Sequence, residues 1–197
     1  PFAGLLNGSN GVYTLMSGPV AGVMGAYQLG KLGGLDNLVV IDIGGTSCDI
    51  AFVTDGRVND ISEWEIAGYD AYFPAVDVTS IGAGGGTIVW VDDANYPHFG
   101  PESAGAVPGP ACYGKGGTQP TVTDADVILG RIDPDRFAGG RVKMVPKRAY
   151  ETVHRKIGQT TNMTDAFSAF GISEIVDENM ASAARVHAIE WGKDISA

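Results

Sequence analysis

The sequence predicts an α/β layer fold. Three observations carry this reading: a helical apolar stripe near the N-terminus, β-branched runs directly after it, and three- and four-residue apolar spacing near the C-terminus. The first helix is read from LMSGPVAGVMGAYQLGKLGG, residues 15–34. Ser17 is placed to cap it and Pro19 suits its first turn. Val20, Val23, Met24 and Tyr27 form its stripe, and Gly33-Gly34 end it. A strand zone follows from Leu38 to about Trp64, with Asp55-Gly56-Arg57 as a hairpin turn. A long glycine- and proline-rich region runs from about Asp77 to Pro120. From Pro146 to Trp191 the pattern is mostly helical, because Ile172, Val176, Met180, Ala183, His187 and Trp191 recur on one face.

Composition bounds the function. A chain of 197 residues can bury a real core, and one domain is the default. The formal net charge of −10 provides no basic patch for a phosphate backbone, so no nucleic-acid partner is expected. No apolar run reaches the roughly 18 residues of a membrane span, so no membrane role is expected either. Two cysteines far apart are no disulfide framework, which points to a reducing, cytoplasmic compartment. The chain starts at Pro1 and ends in EWGKDISA, so both ends read as cut from a longer polypeptide.

The stretch VVIDIGGTSCDIAFV, residues 39–53, carries more than a hairpin requires. Val39–Ile43 and Asp49–Val53 read as buried strands, and Gly44-Gly45 suffice for a tight turn between them. Asp42, Thr46 and Asp49 are left over. A triphosphate needs N–H donors that approach closely, and Mg2+ takes oxygen ligands directly or through its waters. Gly44, Gly45 and Thr46 are therefore candidates for the β- and γ-phosphates, with Asp42 and Asp49 toward Mg2+. The pattern is neither a P-loop nor a dinucleotide fingerprint, since no Gly-Lys-Ser/Thr follows and the glycines lead into a strand. It looks like a phosphate loop of the actin, sugar-kinase and heat-shock chaperone ATPases. A plain hairpin is the competing reading.

Three further stretches surround that motif: SGPVAGVMGA (17–26), SIGAGGGTIVW (80–90) and GPESAGAVPGPACYGKGGTQPTVTDADVILGR (100–131). Together they resemble the hydantoinase A / 5-oxoprolinase family, which includes the ATP-dependent subunits of acetone and acetophenone carboxylases. The resemblance runs from about Leu15 to Asp135 and weakly on to Trp191. It implies an actin-like (ribonuclease H-like) ATPase lobe: a mixed sheet with flanking helices and a long Gly/Pro-rich loop region. Residues 1–197 would be most of the second lobe, without the first phosphate loop or the adenosine-side glycine motif. It further implies ATP and Mg2+ as cofactors and a hydantoinase B-type partner subunit or domain. The reaction implied is phosphorylation of a hydantoin, oxoproline or lactam for ring-opening hydrolysis, with ketone carboxylation as the alternative.

The long loop offers the remaining candidates. Gly82, Gly84, Gly85 and Gly86 permit close backbone approach to a phosphate or substrate, or simply a bend before the next strand. Glu102 and Ser103 lie in a segment too polar for core, so a catalytic role is expected for them. Cys112 is a thiolate ligand or a small buried residue. Asp77, Cys112 and Asp124 together are candidates for a second divalent metal. One departure from the family pattern concerns Asp-Ile-His-Thr before the glycine stretch, where this chain has DVTS with Thr79 at the histidine place. Another is Cys48, where Thr or Phe is more usual. Both put the substrate in doubt.

The histidines add little. His187 lies on the apolar stripe and reads as a core residue, His154 lies on a solvated face, and His98 alone is near the candidate site. Asn7-Gly8-Ser9 and Asn162-Met163-Thr164 match a glycosylation pattern with no sign of secretion. Two functional classes remain. One is an enzyme phosphorylating a carbonyl oxygen; the other is a structural ATPase whose loop senses nucleotide. The polar loop from 100 to 124 favours the enzyme.

Overall fold

The computed structural model describes residues 11–66 and 68–193; Asn7-Gly8-Ser9 lies outside them. It is a mixed α/β structure whose described residues divide into two compact units, the first formed by residues 11–42, 49–66, 68–80 and 187–193 and the second by residues 43–48 and 81–186.

In the first unit, helix α1 (Ser17–Leu32) precedes strands β1 (Leu38–Ile43), β2 (Cys48–Thr54) and β3 (Arg57–Val58). Short strands β4 (Asp60–Ile61), β5 (Trp64–Ile66), β6 (Tyr69–Ala71), β7 (Ala75–Val76) and β8 (Thr79–Ile81) follow. A four-stranded sheet has the order β1-β2-β3, with β8 also pairing β2; β4–β7 and β5–β6 form small pairs. The turn predicted at 55–57 is present. Val53 faces Val58 and Thr54 faces Arg57, and Asp55 and Gly56 both take positive φ, as a two-residue hairpin loop requires. β2 is the buried strand, with Ile50, Ala51, Phe52 and Val53 all in the core. Two details of α1 differ from expectation. Met16, not Ser17, holds the cap position and makes no side-chain bond there. Of the predicted stripe only Val23 is buried; Val20 and Tyr27 are half-buried and Met24 is exposed.

The second unit holds the β9 (Thr87–Val91) and β10 (Pro97–Ser103) hairpin, then α2 (Val122–Ile128) and α3 (Pro146–Val153). A π-helical turn (His154–Gly158), α4 (Gln159–Thr161) and α5 (Asp165–Glu190) complete the order. β10 is a strand within the predicted loop region. Its prolines hid it, yet an edge strand tolerates the missing N–H, and the register shift between Phe99 and Ser103 absorbs Gly100-Pro101. Cys112, Val127, Met144 and Ala149 form one core cluster. Along α5, Ile172, Val176, Met180 and Ala184 are buried; Ala184 takes the place expected of Ala183. Among the described residues, no helix is long and apolar enough to cross a membrane.

Candidate functional site

The loop joining β1 to β2 is exposed at Gly44, Gly45 and Thr46. The Gly44 N–H donates to the Ser47 carbonyl at 2.8 Å, which closes the turn. Among the described residues the N–H groups of Gly45 and Thr46 keep no internal acceptor, and no atom lies within 4 Å of where a Gly45 Cβ would stand. Two N–H donors without an internal acceptor thus lie beside a threonine hydroxyl in an exposed turn, which is the donor chemistry a phosphate needs.

Behind the loop stands Gly84-Gly85-Gly86. Gly85 N–H donates to Gly44 O at 3.0 Å and Gly86 N–H to Gly45 O at 2.6 Å, while Gly84 N–H donates to Thr87 Oγ1 at 2.8 Å. A Cβ on Gly84 would stand 2.7 Å from Gly44 O, and one on Gly86 would stand 2.7 Å from Gly45 O. The close backbone approach expected of these glycines is made here to the backbone of Gly44 and Gly45. Their donors are spent, and the lack of side chains lets two backbones touch. Ser103 completes the support, its Oγ lying 3.5 Å from both Thr46 Oγ1 and Gly45 O. Glu102 does not join it; it is exposed and is one of the residues around a cavity that Trp90 and Gln119 also line.

Asp42 and Asp49 lie on the strands entering and leaving the loop. Asp42 is exposed, and its Oδ2 is 3.2 Å from where a Cβ on Gly22 of α1 would stand, so Gly22 leaves room for the carboxylate. Asp49 is half-buried and accepts a hydrogen bond from Ser80 Oγ. Sequence reading missed Ser80, because only β8 pairing with β2 brings the two together.

His187 proves to be more than core filling. It is buried, its Nδ1 lies 2.9 Å from Thr79 Oγ1, and its ring tilts against Phe52 at 5.4 Å. Its Nε2 stands 2.9 Å from Asp77 Oδ2, a close contact without the line-up of a directed hydrogen bond. Burial pushes the Asp77 carboxyl above the usual range, against the lowering effect of His187.

The expected second metal site is corrected too. The Asp124 carboxylate is fully buried and accepts from the N–H groups of Ala111 (3.1 Å), Cys112 (2.8 Å) and Thr121 (3.0 Å), and from Thr121 Oγ1 (2.9 Å). It also closes a capping box at the start of α2. Its lone pairs are committed to the loop. Cys112 is fully buried, and burial, then the charge of Asp124, pushes its thiol far up, as for a small buried residue. Among the described residues no three His, Cys, Asp or Glu side chains are grouped to hold a metal. Asp77 instead meets His187.

The hydantoinase/oxoprolinase family model matches residues 7–197. The chain belongs to that family. Among its relatives, the acetophenone carboxylase gamma subunit of Aromatoleum aromaticum is 44% identical over 86% of this chain and 24% of its own length. The caprolactamase subunit alpha of Pseudomonas jessenii is 36% identical over 97% of this chain and 27% of its own. A nucleotide-free structure of acetone carboxylase superposes with a TM-score of 0.83 at 31% identity, over 91% of this chain and 26% of that one. The chain thus spans about a quarter of the length of these relatives. The relatives thus include a carboxylase subunit, a caprolactamase subunit and, in Arabidopsis thaliana, a 5-oxoprolinase, so membership does not choose one reaction.

Proposed function

We propose that the full-length protein is an ATP-dependent enzyme that phosphorylates the carbonyl oxygen of a cyclic amide and opens the ring by hydrolysis. The observation that carries this reading is the pair of N–H groups at Gly45 and Thr46, which keep no internal acceptor among the described residues and are backed by glycines whose own donors are all spent. Such a loop is built to meet an anion and costs no reorganisation when it does. Transfer of the γ-phosphoryl group to the amide oxygen makes the ring carbon a better electrophile. Water then adds there, the adduct collapses with expulsion of the protonated ring nitrogen, and a second water hydrolyses the resulting acyl phosphate to a carboxylate and free phosphate. For phosphoryl transfer, positioning and charge stabilisation supply most of the rate.

By chain adjacency to the loop, Asp42 and Asp49 are the residues that would hold Mg2+, directly or through water, and that ion would offset the phosphate charge. The actin-like ATPase lobe belongs to this proposal, supported by a sheet whose β1–β2 connection is the phosphate-loop candidate. A partner subunit of the hydantoinase B type does as well, since the acetophenone carboxylase and caprolactamase relatives are themselves named as subunits. The second reading, ATP-dependent carboxylation of a ketone, is favoured by the 44% identity to the acetophenone carboxylase gamma subunit. In the full-length protein, Asp42→Asn is expected to lower ATP turnover at least tenfold, about 1.4 kcal/mol in barrier, with the thermal midpoint unchanged. Turnover at the wild-type rate would sink the nucleotide reading.

A further inference from the structure

The formal net charge of −10 conceals an uneven distribution. Residues 141–156 hold six of the 13 Lys and Arg and one of the 23 Asp and Glu, a local charge of +5 that leaves −15 for the rest of the chain. The six cations, Arg141, Lys143, Lys147, Arg148, Arg155 and Lys156, are all exposed. Ala149, Thr152, Val153 and Ile157 are the buried positions of α3 and the π-helical turn, which leaves the charged positions between them at the surface. Lys147 lies 3.7 Å from Glu151, while among the described residues the other five cations enter no ion pair. The basic patch that net charge argued against is therefore present, as one short face.

The complementary feature is the β5–β6 hairpin. Its register sets Glu65 directly opposite Asp70, and both are exposed. Like charges at opposed positions destabilise a strand pair. Among the described residues neither carboxylate has a cation to offset this, and Glu63, also exposed, adds a third charge. Tyr69 and Tyr72 stand on either side of Asp70 in the chain, 76% and 73% exposed. The hairpin is braced, since Trp64 Nε1–H donates to Phe73 O at 3.1 Å and the two rings meet edge to face at 5.0 Å. Acceptor-only carboxylates and exposed phenol rings on a braced hairpin suit guanidinium groups, which pair with carboxylates through a planar fork and stack on aromatic faces.

We propose that the β5–β6 hairpin of one copy docks on the basic face of α3 in a second copy, with a guanidinium from α3 or its π-helical turn set between Glu65 and Asp70. The cation supplied by the second copy offsets the repulsion that the hairpin cannot relieve by itself. Exposed ion pairs alone contribute little, so the tyrosines supply the desolvated contact, and the charges set the choice of partner and the rate of encounter. A nucleic-acid backbone or an anionic membrane fits less well, because either would run past this short face onto a remainder of −15. The contact does not depend on the proposed reaction.

The test is sedimentation velocity of the full-length protein at about 0.05 M and about 0.5 M salt, a change that shortens the Debye length roughly threefold. Reversible self-association is expected at low salt, and at least tenfold weaker association at high salt. A basic-face variant, Arg148→Glu with Arg155→Glu, and a hairpin variant, Glu65→Lys with Asp70→Lys, should each weaken association at least tenfold. Mixed in equal amounts the two variants should pair again, because each keeps the face the other lacks, and that recovery also shows that both are folded. Should either charge reversal lower the thermal midpoint, the neutral changes Arg148→Gln with Arg155→Gln, or Glu65→Gln with Asp70→Asn, take its place. A wild-type monomer at low salt, association indifferent to salt, loss in only one of the two variants, or no recovery in the mixture would each overturn the inference. So would a wild-type monomer that binds a random-sequence DNA duplex through the same arginines. Failure of the nucleotide reading is separate: it appears as Asp42→Asn turnover at the wild-type rate, whatever the sedimentation shows.

Discussion

The loop at 44–47 and the loop at 109–124 have similar compositions and opposite fates. Both are rich in glycine and carry an aspartate, a threonine and a cysteine within or beside them. In the later loop the Asp124 carboxylate gathers three backbone N–H groups and a hydroxyl, and the carboxylate, Cys112 and Thr121 are all fully buried. In the earlier loop Gly45 and Thr46 remain exposed with open N–H groups, and the saturation lies one layer behind, in Gly84–Gly86. What separates a staple from a binding loop is where the donors go. A buried N–H must find an acceptor within the protein, whereas an exposed one can wait for a ligand. The polar loop from 100 to 124 therefore argues for an enzyme less strongly than its composition suggests, since its later part is occupied with holding itself together. The exposed residues of this loop are 101–102, 105–108, 115–116 and 118–119.

Asp124→Ala is expected to separate the two regions most widely. Removing the carboxylate strands the N–H groups of Ala111, Cys112 and Thr121 in a dry interior. At roughly 1–3 kcal/mol for each unmet buried group, partly offset by entering water, the loss is about 3–5 kcal/mol. Hydrogen exchange should show the amides of Ala111 and Cys112 losing protection while the amides of β2 keep theirs. Retained protection would show that the carboxylate is not what holds this loop.

The backing of the first loop comes next. A Cβ at Gly86 would stand 2.7 Å from Gly45 O and 2.9 Å from Ser103 Oγ, so Gly86→Ala must push the loop out of place. A stability loss of about 1–3 kcal/mol is expected from such overpacking. ATP affinity of the full-length protein should fall at least tenfold. Gly45→Ala is the contrast, because open space surrounds that position, and a stability change within about 0.5 kcal/mol is expected. Equal losses of stability in the two variants would mean that the glycine layer does not brace the loop.

Legibility in the sequence followed the range of the interactions. The first hairpin, the stripe of α5 and the family motifs depend on neighbours a few residues apart, and they were readable. Asp42, Gly44, Gly45, Thr46 and Asp49 could be singled out for the same reason. The partners of those residues could not, because Ser80 meets Asp49 and Ser103 meets Thr46 only through strand pairing and long-range packing. Gly84–Gly86 were visible as permissive backbone, but whether they face a ligand or another backbone depends on what packs against them. The strand β10 was masked by its prolines. His187 fitted an apolar stripe, and nothing local announced that Asp77 and Thr79 reach its ring.

The smallest expected effect concerns Cys112, and its sign follows from burial. The folded protein holds the thiol proton far above its ordinary value of 9.0, through desolvation first and the Asp124 carboxylate second. The contribution of this group to stability is therefore fully present below pH 9 and is lost as pH rises beyond it, since the unfolded chain gives up the proton while the folded chain keeps it. At pH 10, one unit above the ordinary value, the loss is about 1.4 kcal/mol. Cys112→Ala removes that slope and substitutes a small, pH-independent packing loss of about 1 kcal/mol. Denaturation of both proteins at pH 8 and pH 10 is the measurement. Because every other titrating group is common to the two, only the change in their difference counts: the variant should trail at pH 8 and draw level or lead at pH 10. A difference that does not move with pH would mean that the Cys112 thiol titrates alike in the folded and unfolded chains, and that the dry seat beside Asp124 is wetter than its geometry implies.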